Sequence, residues 1–468
     1  MITAYARRII ILLITFSFIT LSFADNDILD LVHKDYDFVL RISQAGSWYD
    51  EIKKVPFFSF IFGRKGLGFE DAFMRILEDM RYKTGVLPSV VQDAISKDII
   101  FASKGAEINF TEIISFDLNF YFDFVKSIAT NSFLAFQTNS PAQFVKALSF
   151  LLSVSYKTLG NNQYILGDSL YCGFTGKYFI IAGSKTTLEL ALKTSKTQEM
   201  QLSKITKVFD RLRSGTFFIS GYAKPNVIKL NLPGVSQIDA EDSEYILFYS
   251  TVSAGSFYAT FEQKNKKEAV SKKVTENLGN IPFAWNYYLS TPAGNTDEVI
   301  NSINQWFQGT SSDMNRFLYF ASTLSKSSTN VHTVGRIDTG DFLFIFDNYT
   351  GKNLETSVSK IGGIYDSQKQ EWILNLQGNI KLYIYSISNR VFIGTLERSK
   401  YELYDKTRTR FKDVPTYFDF SKISAYEFKL FIDISDIIKS TIGFNVPSKL
   451  LMWKYNSGYF SYYKIVIS

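Results

Sequence analysis

Few residues in this chain are equipped for covalent chemistry. Ser169 stands in Ile165-Leu166-Gly167-Asp168-Ser169-Leu170, at a polar turn between two apolar stretches. A serine hydroxyl becomes a nucleophile only beside a general base, commonly a histidine that an acid orients. The chain holds 2 histidines, His33 and His332. Asp30-Leu31-Val32-His33 has the Asp-x-x-His spacing of an oriented base but precedes the serine, and Thr329 fills the acid's place before His332. Two scattered histidines and the single cysteine, Cys172, do not make a zinc site of ordinary spacing. The segment 346–353, FDNYTGKN, lacks the closing glutamate of a calcium loop, and GRKGLG at 63–68 fits neither glycine-rich phosphate fingerprint. No metal and no cofactor is expected. Acidic neighbours such as Glu70 and Asp71 fall in polar helix starts and read as solvated surface.

The elements that would position these residues belong to a folded, exported chain. Its 468 residues are 46% hydrophobic and 21% charged, enough for two or three cores. The 43 Phe and 28 Tyr favour strands, because aromatic side chains suit a pleated, half-buried surface. Arg7 and Arg8 precede an uncharged run of 15 residues, 9–23, and Ser22 and Ala24 supply the small residues of a cleavage site. Cleavage is expected before Asp25, with an uncleaved inner-membrane anchor as the alternative; the run is shorter than the ~20 residues of a spanning helix. Without Arg7 and Arg8 the formal charge falls from +6 to +4, 49 basic against 45 acidic residues, and nucleic acid is not implied. Cys172 has no disulfide partner and reads as a buried thiol.

The chain also repeats itself. KYFIIAGSKTTLELAL at 177–192 aligns without gaps on RVFIGTLERSKYELYD at 390–405, an offset of 213 that pairs Phe179 with Phe392. Upstream, FLAFQTNS from Phe133 matches FLFIFDNY from Phe342; downstream, TFFISGY from Thr216 matches KLFIDIS from Lys429. The hairpin pattern from Ile246 matches that from Leu450, and FVLRISQAGS from Phe38 matches NYYLSTPAGN from Asn286. The predicted fold class is α+β, a tandem duplication of an antiparallel-sheet unit with helices packed on one face. The predicted boundaries are a signal peptide at 1–24, a first copy at 25–263, a charged helical linker at 264–281 and a second copy at 282–468.

The export signal, the early strand-and-helix block and FIIAGSKTTLELAL followed by TFFISGY resemble a bacterial family of exported proteins defined by a domain of unknown function. The resemblance covers most of the mature chain as pattern; it implies an envelope or periplasmic location and brings no catalytic residues. Gly167-Asp168-Ser169-Leu170 separately resembles the nucleophile block of a family of serine esterases, which implies a serine hydrolase. The repeat argues against it: at offset 213, Lys381 and Leu382 stand where Asp168 and Ser169 stand. The expected role is therefore non-enzymatic, binding or scaffolding in the periplasm, with a serine hydrolase using Ser169 as the alternative. The candidate binding surface is aromatic: Phe57, Phe58 and Phe60 in an early run, and Trp453, Tyr455 and Tyr459 in the last hairpin. The expected partner is an envelope protein or a glycan, with membrane contact only through an uncleaved signal.

Overall fold

The computed structural model describes residues 27–468 other than 106–107, 110–129, 161, 206–207, 215, 230–241, 270–285, 293–311, 337–338, 352, 377–379 and 407–427. The expected signal peptide thus lies outside the described residues. No described helix is long and apolar enough to cross a membrane. The described residues fall into two compact units that divide between Lys266 and Lys267, inside the stretch read as a linker.

Unit 1 is built on one antiparallel sheet. Its strands are β1 (Phe38–Ile42), β2 (Ile99–Ser103), β3 (Ser132–Gln137), β4 (Tyr156–Gly160), β5 (Gln163–Leu166), β6 (Leu170–Thr175), β7 (Tyr178–Ala182), β8 (Ile219–Ala223), β9 (Ser243–Ser253) and β10 (Ser256–Asn265). They lie in the order β4-β5-β6-β7-β3-β2-β1-β8-β9-β10. The helices are α1 (Ala45–Ile52), α2 (Pro56–Phe62), α3 (Phe69–Thr84), α4 (Pro88–Ser96), α5 (Pro141–Leu152), α6 (Lys185–Thr194), α7 (Leu202–Ile205) and α8 (Val208–Ser214). Local chemistry sets their ends. Proline opens α2, α4 and α5, where its missing N–H costs nothing. Ser184 caps α6 by accepting the Thr187 N–H, and Gly85 closes α3 in the left-handed conformation.

The strands of unit 2 also pair antiparallel. Its strands are β11 (Tyr287–Pro292), β12 (Asn330–Arg336), β13 (Asp341–Phe346), β14 (Ile364–Asp366), β15 (Glu371–Leu376), β16 (Ile380–Ile387), β17 (Arg390–Gly394), β18 (Phe428–Asp433), β19 (Lys449–Ser457) and β20 (Phe460–Ile467). Their order is β14-β15-β16-β17-β13-β12-β11-β18-β19-β20. Its described helices are α9 (Ser312–Lys326), α10 (Leu354–Lys360), α11 (Arg398–Asp405) and α12 (Ile434–Ile442). Strand for strand, the spatial order is that of unit 1.

Helices cover both faces of each sheet, not one face as the sequence suggested. In β7, Ile180 packs with Leu188 and Ala191 of α6. Phe179, one residue earlier, points to the other side and meets Phe144 of α5 edge-on at 5.3 Å. In unit 2, Ile393 shares a cluster with Phe317 of α9 and Val358 of α10, while Phe392 meets the tilted ring of Tyr401 of α11 at 4.6 Å. The reason is visible in the letters: YFIIA and VFIG are apolar at consecutive positions, the pattern of a strand buried on both faces.

The same geometry corrects the residue pairing. Phe179 faces the helix that follows β3, whereas Phe392 faces the helix that follows β17, so the two do not occupy equivalent places. The matching row across unit 1 is Ala182–Phe133–Ala102–Val39–Tyr222, and across unit 2 Gly394–Leu343–Val334–Tyr288–Phe431. Ile180 therefore corresponds to Phe392, an offset of 212, and Phe133 to Leu343. Two two-residue hairpin tips agree with this register: Gly176-Lys177 with Ser388-Asn389, and Ala254-Gly255 with Gly458-Tyr459. The loop from β17 to α11 is one residue longer than that from β7 to α6, and a gapless alignment through it slips the strand by one. A one-residue slip turns every side chain to the opposite face.

Candidate functional site

Ser169 occupies the exposed turn Gly167–Ser169 between β5 and β6, where Leu166 pairs with Leu170. Gly167 takes φ +60°, the left-handed conformation that lets the strand reverse. No histidine hydrogen-bonds Ser169 among the described residues. Nearly buried His33 accepts the Asp35 N–H at Nδ1, 3.2 Å away, and burial lowers its pKa. By sheet register, Ser169 corresponds to Lys381, not Leu382. The Cys172 thiol is buried, and burial pushes its pKa up.

The aromatic candidates fall in separate units. Phe57, Phe58 and Phe60 on α2 are half-buried; Phe58 meets Phe257 of β10 at 5.6 Å. Trp453 and Tyr455 are half-buried on β19, Tyr455 stacks on Tyr462 at 4.9 Å, and Tyr459 is 49% exposed at the hairpin tip.

The densest polar chemistry in unit 1 gathers where β1 ends, on the face that α6 covers. Arg41 shares that face with Val39, in phase with the core. Its Nη2 lies 2.6 Å from Asp98 Oδ2 and its Nη1 3.7 Å from Asp27. Burial works against the Arg41 charge, but Asp98 and Asp27 outweigh it and raise the pKa. Arg213, from the end of α8, donates to Asp27 at 2.5 Å and Asp30 at 2.7 Å, and Ser203 donates to Asp30 at 2.9 Å. These pairs tie the first turn of the described chain to the sheet.

Over this floor opens a groove of about 470 Å³. Lys177, Lys196 and Lys204 line it with Gln201, Thr175 and Ser195. Lys204 lies 3.9 Å from Asp30, which Arg213 already holds; Lys177 and Lys196 have no acidic partner among the described residues. Gln201 is 2% exposed; its amide donates to the Thr194 carbonyl, and its Oε1 has no partner among the described residues. Such a lining suits a ligand that carries both negative charge and hydrogen-bonding groups. A wider depression of about 750 Å³ on α3 is flanked by ion pairs such as Arg64–Asp71 at 2.6 Å, and offers less unsatisfied chemistry.

Unit 2 has its polar cluster at the corresponding end of its sheet. The row Lys429–Ser290–His332 crosses β18, β11 and β12 and matches Ser220–Arg41–Ile100 of unit 1. His332 is buried between the Tyr288 hydroxyl, 3.0 Å from Nδ1, and Asp347, 2.5 Å from Nε2. Arg390 donates to the same carboxylate at 2.8 Å. Lys429 is 1% exposed, and burial lowers its pKa to about 7.

Of all these groups only His33, His332 and Asp30 stood out in the sequence. The signal for the others was phase: Arg41 in FVLRI and Lys429 in FKLFID sit where a strand points into the core.

Neither a family model nor a curated protein matches the chain. Among solved structures it is similar to crystal form I of TP0453, at 12% identity over 53% of this chain and 82% of that one, with a TM-score of 0.28. Crystal forms III and IV of the same protein align at 12% identity over 39% of this chain and 76% of theirs, with TM-scores of 0.24 and 0.23. Superpositions this loose carry no argument about fold or function.

Proposed function

We propose that the chain is an exported, non-enzymatic binding protein of the bacterial envelope, built from one ten-stranded unit written twice, whose first copy holds the ligand groove. The repeated strand order and the matching hairpin tips support the duplication. The observation that carries the binding role is the groove itself, with Lys177 and Lys196 lacking acids above a floor already neutralised by Arg213 and Arg41. An anion-bearing sugar, such as an end of an envelope glycan, has the charge and the hydroxyls this lining takes. Ser169, at an exposed turn away from any base, serves as a turn residue.

The test is thermal unfolding and calorimetry of the mature chain with glucuronate, glucose 6-phosphate and neutral glucose at about 10 mM, well above millimolar dissociation constants. The two anionic sugars should raise Tm and glucose should not. A ligand at about ten times its Kd stabilises the folded state by about 1.4 kcal/mol. The double variant Lys177→Ala/Lys196→Ala should lose the response. No shift with either anion, or an equal shift in the variant, overturns the reading.

A further inference from the structure

The groove of unit 1 offers donors freely and acceptors sparingly. The carboxylates that line it, Asp27 and Asp30, are engaged within the chain. Asp27 accepts the Leu29 N–H at 3.1 Å and Arg213 at 2.5 Å; Asp30 accepts Ser203 at 2.9 Å and Arg213 at 2.7 Å. The Ser195 hydroxyl turns inward and donates to the Leu192 carbonyl at 2.8 Å. Lys177 and Lys196 can only donate. Gln201 differs from all of these, because it lines the groove with an acceptor, Oε1, that has no hydrogen-bond partner among the described residues.

The fold fixes which end of that amide is left over. Gln201 Nε2 donates to the carbonyl of Thr194, the last residue of α6, at 3.1 Å. Turning the amide over would set its oxygen against that carbonyl oxygen, so the partner decides the orientation. The backbone is held as well: the Gln201 N–H reaches the Gln198 carbonyl at 3.0 Å, and Gln201 forms an antiparallel bridge with His33. At 2% exposure the residue belongs to the floor of the groove, whereas Lys177 is half-buried and Lys196 exposed. A buried acceptor left unpaired costs free energy that a fitting donor recovers.

We propose that Gln201 is the specificity-determining residue of the groove: its Oε1 accepts a hydrogen bond from a hydroxyl of the bound anion, so the site takes hydroxylated acids and discriminates against acids of the same size without hydroxyls. This rests on the groove binding an anionic ligand at all. Lys177 and Lys196 hold the charged end, and Gln201 reads the neutral part. A neutral donor fits better than an ammonium, because Lys177 and Lys196 line the same groove without acids among the described residues, and Lys204 adds a third positive charge. Selection by a buried polar group is steep, because a ligand that lacks the donor leaves the acceptor unpaired.

Calorimetry of the mature chain with glucuronate and with cyclohexanecarboxylate, at pH 7 and constant ionic strength, tests this. The two acids share a six-membered ring and a carboxylate and differ in their hydroxyls. The wild type should bind glucuronate at least about tenfold more tightly, the factor that one hydrogen bond to a buried group supplies. Gln201→Met keeps the length of the side chain and removes the acceptor; it should lower that ratio about tenfold by weakening glucuronate and not cyclohexanecarboxylate. Gln201→Asn, which withdraws the amide by one methylene, should give the same fall should the methionine variant fold poorly. Equal affinity of the wild type for the two acids, or an unchanged ratio in a folded variant, overturns the proposal and leaves the groove as an unselective anion site. Binding of neither acid overturns the groove reading along with it.

Discussion

Lys429→Met is the substitution with the most calculable consequence. Lys429 lies in β18 between Ser290 of β11 and Trp453 of β19, 1% exposed, and burial brings its pKa to about 7. In the unfolded chain a lysine titrates near ~10.4. Each unit of difference is worth about 1.4 kcal/mol, so keeping the proton in the folded state costs about 5 kcal/mol. The folded pKa is the lower one, so between about pH 7 and pH 10 the unfolded chain binds the extra proton and stability rises with pH. Below that window both states are protonated and the whole cost is present. Methionine keeps the length of the side chain and removes the charge. The variant should therefore exceed the wild type by up to about 5 kcal/mol at pH 6, with the gap closing by about pH 10. His332 shares the row, Lys464 of β20 stands beyond Trp453, and Asp347 and Arg390 lie past His332; all are common to both proteins and cancel in the difference. Urea unfolding at unit steps from pH 6 to pH 10 reads the gap directly. Parallel curves, or a variant less stable than the wild type at pH 6, would refute the assignment of a burial-depressed lysine.

Two predictions concern unit 1. Arg41→Ala leaves Asp98 without its cation, while Asp27 keeps Arg213, and should cost about 3 kcal/mol in chemical unfolding, the low end for a buried pair because the partners retain some exposure; a loss below about 1 kcal/mol would make the pair ornamental. Ser169→Ala should change stability by less than about 0.5 kcal/mol, as expected of an exposed turn position. Neither the wild type nor that variant should be labelled by a fluorophosphonate, and labelling of the wild type lost in the variant would restore the hydrolase reading.

The extent to which this fold was legible follows from what each segment's letters encode. The last hairpin was read in the correct register, Ile246 matching Leu450, because its small-residue tip fixes the phase and a two-residue loop admits little variation. The pieces around Phe179 and Phe392 were matched one residue out of step. Strands apolar on both sides carry no alternation from which to infer a face, and the helix start that seemed to anchor the match lies beyond a loop of different length. The expectation of helices on one face failed for the same reason, since a strand such as YFIIA needs cover on both sides. For the site, the sequence singled out residues by chemical type, and so stopped at the serine, the histidines and the aromatic runs. Gln201 and Lys204 reach their groove through the pairing of segment 32–34 with 200–202, a tertiary contact without a local signature.

Strand order and polar chemistry have different tolerances, and this explains why the units agree in one and diverge in the other. Moving a strand would expose an apolar face on both sides, so the order is held by all its neighbours at once. A buried charge needs only a partner within reach, and two adjacent strands offer equivalent places to put it. The cation at this end of the sheet comes from β1 in unit 1 and from β18 in unit 2, the neighbour of β11, with serine in the vacated place each time. Such an exchange preserves volume and charge at the spot while turning its hydrogen-bonding directions.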